Sequence, residues 1–410
     1  MKEDEIMSNS KNKSIKIIIN IMLTVCTACM VSMILFYDVS AKDSFKKQIV
    51  MGVMSTVVED KVVVTWEGII GATGYDVYEW SSDLYSLDKT TGEVTDVRGT
   101  SAVDTNVSEP QLAGTTKTCR IVLSNRKPGT EYHYYVVAYR TEKGISPIYG
   151  RKSEESVVTV PFKGKSTIKN FLRIALAPVG NTMYVWGGGW NKADTAAGKE
   201  AKSIGLSSSW RSFAMDKKSN YNYRNYRYLI HKGLDCSGYV GWCVYNVNNT
   251  ANGKKGYVYS ASKQAKKFAK MGFGSYRKSK DVTDYKPGDI MSSSCSCCGH
   301  VWIVIGQCDD GSVVIAHASP PGVVLSGTVT PKGKKNSEAV KLARKYMKKY
   351  YYAWYKKYPD VCKGSSYLSH YGQMRWDTEG ENCVLSDPDG YEEMSAEEVL
   401  KDLFGETLEK

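Results

Sequence analysis

At 410 residues, 42% apolar and 24% charged, the chain is long enough for two ordinary domains with cores of their own, which excludes a disordered or fibrous protein. The formal charge of +12 is uneven, because Asp377 to Lys410 holds twelve acidic and two basic residues and everything before it is strongly basic. A basic body suits a polyanionic partner, but no zinc-finger, helix-turn-helix or RNA-binding signature accompanies the charge, so nucleic acid is not expected.

The first elements concern the compartment. Lys11, Lys13 and Lys16 precede an apolar run from Ile17 to Tyr37, broken by Asn20, Thr24, Thr27 and Ser32. Lysines stay on the cytoplasmic side, so the chain that follows is expected to cross the membrane. Val39-Ser40-Ala41 reads as a small-x-small cleavage site, so residues 1–41 are read as a signal peptide, with a retained membrane anchor as the alternative. A secreted or wall-associated location follows, and with it anionic wall polymers as a partner. Two of the eleven cysteines, Cys26 and Cys29, lie in this segment; the nine that remain are an odd number, so one thiol at least is left over.

Residues 42–162 alternate strand-like runs with turn signals: Lys61 to Trp66, Tyr75 to Trp80, Thr118 to Leu123, Tyr132 to Arg140 and Ser156 to Val160. Short strands so spaced predict an antiparallel sandwich. The runs Val62-Val63-Val64-Thr65-Trp66, Ala72-Thr73-Gly74-Tyr75-Asp76-Val77-Tyr78 and Lys127-Pro128-Gly129-Thr130-Glu131-Tyr132 resemble a fibronectin type III domain. That resemblance makes Trp66 the core tryptophan and Tyr132 the corner tyrosine. No catalytic constellation falls here, and His133 reads as surface or packing.

Residues 163–378 form a second region, opening with helical spacing from Ile168 to Ala177 before Pro178. Two insertions stand out. Residues 191–232 are rich in Asn, Tyr and Lys, an exposed loop or the lining of a sugar groove; residues 337–358 read as a basic, tyrosine-rich helix. Residues 379–410 form an acidic tail with a short helix from Ser395 to Phe404 in an otherwise flexible segment, opposite in sign to the body.

The chemistry centres on Gly233-Leu234-Asp235-Cys236-Ser237-Gly238-Tyr239-Val240. Val240, Cys243, Val244 and Val247 recur at helical spacing, which predicts a helix with a buried face beginning near Cys236. A thiol on the first turn faces the positive end of the helix dipole, an expectation of thiolate. A base is also needed, and the histidines are 133, 231, 300, 317 and 370. His300 opens an apolar strand, Asp309-Asp310-Gly311 signals a turn, and a second strand ends at His317; a hairpin with a two-residue loop places both imidazoles on one sheet face. Nucleophile, base and a group orienting the base make a triad.

In order along the chain, Tyr184-Val185-Trp186-Gly187-Gly188, Asp235-Cys236-Ser237-Gly238, Pro287-Gly288-Asp289, Gly299-His300-Val301 and His317-Ala318-Ser319 resemble the NlpC-type peptidases, papain-like enzymes that cut peptidoglycan stem peptides. The resemblance spans about Ile168 to Trp376. It implies an α+β domain in which a helix bearing cysteine packs on an antiparallel sheet, with Cys236 as nucleophile, His300 as base and His317 in the third position. Tyr184, Asp235 and Ser237 fall where the family contacts substrate, though Asp235 also reads as a helix N-cap. The bond implied is D-glutamyl to diamino acid, with peptidoglycan as partner and no cofactor. Ser294-Cys295-Ser296-Cys297-Cys298-Gly299-His300 departs from the family: three thiols beside the base can bind zinc, join Cys308 or Cys362 in a disulfide, or stay free. So tight a cluster is strained for tetrahedral ligation, and no metal is assigned. Two alternatives stand: an amidase acting where sugar meets peptide, and a wall-binding or adhesive protein with an inactive second domain.

Overall fold

The computed structural model describes residues 44–58, 61–83, 85–87, 94–96, 108–161, 166–248, 255–294, 299–380 and 383–406. The expected signal segment, 1–41, and the cysteines 295, 297 and 298 lie outside the described residues. Among the described residues no helix is long and apolar enough to cross a membrane.

Strands β1 (Met54–Val58), β2 (Lys61–Thr65), β3 (Gly74–Asp83), β4 (Tyr85–Leu87), β5 (Val94–Asp96), β6 (Gln111–Thr116), β7 (Arg120–Leu123), β8 (Thr130–Glu142), β9 (Ile145–Tyr149) and β10 (Ser156–Val160) build the first unit. One sheet runs β1-β2-β7 and the other β10-β8-β3-β6, with β9 paired to β8 and β4-β5 a separate hairpin. The long β8 shows why two sheets face each other. Tyr132, Tyr134, Val136 and Ala138 alternate inward, period two, and join Val62, Val64, Trp66, Tyr75 and Val77 in one core. Trp66 meets Tyr75 edge-on at 5.4 Å. The Tyr132 hydroxyl accepts from the Lys127 amide at 2.7 Å, the hydrogen bond that a corner tyrosine makes. His133 is stacked on Trp80 between Glu131 and Glu155, a packing role. The sequence reading missed β1, β6 and β9, whose residues alternate less cleanly between apolar and polar.

The second unit is built on one sheet. Its strands are β12 (Met183–Tyr184), β13 (Gly233–Leu234), β14 (Gly274–Arg277), β15 (Ile290–Ser293), β16 (Val301–Gln307), β17 (Val313–Ser319), β18 (Gly322–Thr328), β19 (Cys362–Lys363) and β20 (Tyr371–Trp376). The order is β13-β12-β18-β17-β16-β15-β20-β14, with β19 added to β18. Both faces are covered, so the strands read as continuous apolar runs. Val301, Ile303, Ile305, Ala316, Ala318 and Leu325 face the main core with the helices Ile168–Leu176 and Cys236–Asn248. Trp302, Val304, Val313 and Ile315 face a smaller cluster with Tyr285, Met291 and Tyr371. The helix Ile168–Leu176 starts as expected, with Thr167 accepting from the Asn170 amide.

Three expectations are corrected. The β16-β17 connection spans residues 308–312 rather than two, with a bulge between Val304 and Gly306. On the histidine side of that bulge the odd-to-even pairing holds (Ile303 opposite Ala316), so both imidazoles still share a face. Cys308 and Cys362 carry free thiols, so neither forms the disulfide considered from the sequence. The acidic segment is not a flexible tail. Here β21 (Leu385–Ser386) pairs with β11 (Ser166–Thr167), and Tyr391, Val399 and Leu400 are buried in the main core. The basic helix Glu338–Tyr350 turns Ala339, Val340, Ala343 and Met347 inward, while its Lys349 and Tyr350 bind Glu406 at 2.8 and 2.6 Å. The opposite charges therefore meet within the chain.

Candidate active site

Cys236 is the first residue of the helix Cys236–Asn248 and follows directly on β13, whose parallel pairing with β12 sets Leu234 beside Tyr184. Asp235 caps the helix: its Oδ1 accepts from the Gly238 amide at 2.7 Å and the Ser237 hydroxyl at 2.8 Å. Its other oxygen accepts from the Gly187 amide at 3.2 Å, tying the Gly-Gly turn to the nucleophile. Gly238 leaves no room for a β-carbon against the Gly188 carbonyl, and Gly187 and Gly189 have φ of +82° and +90°, so glycine is required for this approach. Ser237 also accepts from the Trp190 indole at 3.0 Å. Asp235 and Ser237 are thus engaged within the fold. Burial pushes the Asp235 carboxyl up to about 6, against the hydrogen bonds from Gly238, Ser237 and Gly187.

The thiol is buried, with Sγ 4.0 Å from the Gly299 carbonyl, and the amides of Val301, Ser237 and Cys236 itself favour its charged form. It therefore lies against the backbone on both sides of His300. His300 Nε2 is 3.0 Å from His317 Nδ1, and His317 Nε2 is 3.1 Å from Ser326 Oγ. Cys236, His300 and His317, about 80 residues apart at the extremes of the sequence, are so brought to one end of the sheet. The helix itself lies on the opposite face of β16 from the imidazoles, and only its first residue reaches their edge.

The expectation of a thiolate is overturned. Burial, followed by the Asp235 charge, pushes the Cys236 thiol up to about 12 and outweighs the three amides. Burial, then the Lys363 ammonium, holds His300 down to about 3, and the same two causes, with His300 itself, hold His317 well below the ordinary range. The resting pair is a neutral thiol beside a neutral imidazole.

Tyr184 is buried on β12, edge-on to Tyr223 at 5.4 Å. Its hydroxyl is raised by burial, then by the charges of Cys236 and Asp235, which sets it at the thiol. The tyrosines of the 191–232 insertion do not line an open sugar groove. Tyr221 and Tyr226 stack at 5.2 Å against Phe213, and the Tyr221 hydroxyl bonds the Tyr184 carbonyl at 2.7 Å, so they back the cleft wall. Cys243 is fully buried packing.

Four residues were missed. Tyr367 and Tyr371 frame His300 at 5.7 and 6.4 Å, and both hydroxyls are raised by burial and also by Cys236. Nothing in Ser365 to Tyr371 signals this. Ser326 was detectable as a polar residue in phase with Val324 and Thr328 on an apolar strand. Lys363 sits in a two-residue edge strand with no pattern to read. Among the described residues no group of three or more His, Cys, Asp or Glu is arranged to hold a metal. A separate cavity of about 940 Å³ contains Lys192, Lys199, Lys202, Lys255 and Lys267 with Glu200; it does not include the thiol.

No protein-family model matches the chain, and no curated protein does. Solved structures similar to part of it are fibronectin type III domains. One is a fibronectin type III-like protein from Clostridium thermocellum, 17% identical, covering 28% of this chain and 95% of that one, with a TM-score of 0.17. A human fibronectin type III domain is 17% identical, covering 30% and 81%, at 0.19. Titin kinase with its flanking domains is 17% identical over 28% of this chain at a TM-score of 0.19, and the match spans 17% of that chain's length. The class defined on the page is thus a two-unit chain whose first unit is a fibronectin type III-like sandwich, by its own strand order. Its second unit is a sheet covered by helices that gathers one thiol and two imidazoles.

Proposed function

We propose that the chain is an exported cysteine peptidase of the NlpC type that cleaves amide bonds in peptidoglycan stem peptides. The observation that carries this reading is the bond between His300 Nε2 and His317 Nδ1, with the Cys236 thiol lying against the backbone that bears His300. Because His317 occupies Nε2, the other ring nitrogen of His300 is the one left for the thiol. As Cys236 attacks the carbonyl, its proton passes to His300, the S–C bond forms, and amides at the helix start receive the oxyanion. His300 then protonates the departing amine as the C–N bond breaks, and water hydrolyses the thioester. A resting neutral pair fits proton transfer concerted with attack. Tyr184 lines the substrate side of the cleft, while Asp235 and Ser237 hold its floor. The D-glutamyl to diamino acid bond is the substrate the motif resemblance supports.

The lysine-lined cavity supports anionic wall polymer as a partner of the same exported protein. The test is to incubate the chain and its Cys236→Ala variant with purified peptidoglycan and analyse released fragments by mass spectrometry. Release by the parent alone supports the reading, and fragment masses name the bond. Equal release by both ends it, and sedimentation with the wall without release favours an adhesive protein.

A further inference from the structure

Lys363 is the second residue of β19, which lies parallel to β18 with Thr328 as its partner, and its carbonyl is fixed by the Val329 amide at 2.8 Å. Along β18, Thr328, Ser326 and Val324 share a face by the two-residue alternation. Ser326 and Val324 are the register partners of Ile315 and His317. Lys363 therefore stands on the sheet face that carries Ser326, His317 and His300. Its charge acts on both imidazoles, and burial holds its own ammonium below the ordinary lysine range, with Asp360 and Cys362 opposing. Asp360 does not pair with it: that carboxylate accepts from the Cys362 amide at 3.0 Å, and among the described residues Lys363 has no ion-pair partner.

A half-buried ammonium with no counter-ion, beside the base that must become cationic during the reaction, opposes turnover in the empty site. An anion delivered by the substrate removes that opposition. We propose that Lys363 is a substrate-binding residue that receives a free carboxylate of the peptide next to the scissile amide. This rests on the peptidase reading and deepens it by naming the substrate class. A glutamyl residue linked through its side-chain carboxyl has such a group, since its α-carboxylate stays free a few bonds from the amide that is cut. The ammonium pairs with that carboxylate by charge-assisted hydrogen bonds and selects for it over the amide.

The experiment uses the full chain carrying Cys236→Ala, so that substrate is bound and not turned over. Two synthetic stem peptides, identical except that the α-carboxylate of the D-glutamyl residue is free or amidated, are titrated calorimetrically. The free acid is expected to bind about ten-fold tighter or more, the scale of one charge-assisted contact. Lys363→Met abolishes the difference and Lys363→Arg keeps it, with circular dichroism confirming the fold; should the methionine variant not fold, Lys363→Gln takes its place. Equal binding of the two peptides to the parent, a difference that survives removal of the charge, or no binding of either peptide overturns the proposal. Turnover is scored separately with Cys236 intact. Absent turnover alongside a Lys363-dependent preference sinks the peptidase and leaves the carboxylate site standing, whereas turnover of both peptides at equal kcat/KM does the reverse.

Discussion

His317 stands between His300 and Ser326, its Nδ1 3.0 Å from His300 Nε2 and its Nε2 3.1 Å from the Ser326 hydroxyl. If the Ser326 oxygen accepts from Nε2–H, then Nδ1 of His317 must accept, His300 must donate from Nε2, and the remaining nitrogen of His300 is left as a base. Ser326 thus positions a proton two residues away from the thiol. His300→Ala is expected to lower kcat/KM by about 100- to 10,000-fold, the range for a general base. Ser326→Ala, which weakens only the tautomer preference, is expected to cost about ten-fold, the low end for an outer partner of a functional histidine. Steady-state kinetics on a synthetic stem peptide checks both; an unchanged rate in Ser326→Ala would mean that the chain of hydrogen bonds does not orient the base.

A neutral resting pair has a distinct pH signature. With Cys236 pushed up to about 12 by burial and by Asp235, alkylation of this thiol by iodoacetamide is expected to be slow at neutral pH and to rise about ten-fold per pH unit toward pH 10, following the thiolate fraction. Peptide mapping by mass spectrometry reads this site apart from the other thiols. A rate already level from pH 6 upward would reveal a standing thiolate and refute the neutral pair. Stability follows the same groups. His300 is held down to about 3 from an ordinary 6.5, so the stability it contributes is present above 6.5 and lost as pH falls through 3. Cys236, raised from 9.0, contributes below 9 and loses that contribution as pH rises toward 12. His300→Gln is therefore expected to flatten the acid limb of a melting-temperature profile.

What the sequence made legible follows period and glycine chemistry. The inward alternation of β8, the helix after Asp235 and the shared face of His300 and His317 all rest on local periodicity, which one strand or helix carries by itself. The Gly187-Gly188 turn was legible because its backbone approach tolerates no side chain. The ionisation of Cys236 was not, since the dipole at a helix start is a local property whereas burial beside Asp235 is a tertiary one. Tyr367, Tyr371 and Lys363 enter the site from a segment about 60 residues beyond His300 in sequence, where spacing says nothing about contact. The acidic segment was misjudged for a similar reason: its charge is visible, but the docking of Val399 and Leu400 is written in the surface it meets.

Asp289, in the Pro-Gly-Asp motif ahead of the base strand, is buried and saturated. Its carboxylate takes Arg375 Nη2 at 2.8 Å, Arg375 Nε at 3.1 Å, Gln373 Nε2 at 2.7 Å and the Lys286 amide at 2.8 Å. The motif therefore ties β15 to β20 beneath the histidines and takes no part in the chemistry. Arg375→Met, which leaves this carboxylate without its cation, is expected to destabilise the second unit by about 3–5 kcal/mol. Denaturant unfolding measures the loss; a change under 1 kcal/mol would show that Gln373 and the Lys286 amide suffice.

The two units are joined by charge as well as by chain. Glu131 on β8 reaches Lys169 at 3.1 Å and Arg173 at 3.5 Å on the first helix of the second unit, and Lys169, itself buried, also reaches Asp402 at 3.1 Å. Burial raises the Glu131 carboxyl, but Arg173, the hydrogen bond from His133 and Lys169 outweigh it and hold the group well below the usual carboxylate range. A depressed carboxyl contributes stability that is present above its ordinary pKa and lost as pH falls through the folded value, so this joint weakens on acidification below about 4.5. Glu131→Gln is expected to cost up to about 3 kcal/mol at pH 7, because Lys169 keeps Asp402 but loses its partner in the sandwich. The same variant is expected to show a flatter decline between pH 5 and 3, having lost the group that titrates there. Parallel acid-unfolding curves for parent and variant would mean that the joint is held by apolar contact, with the ionic network adding nothing.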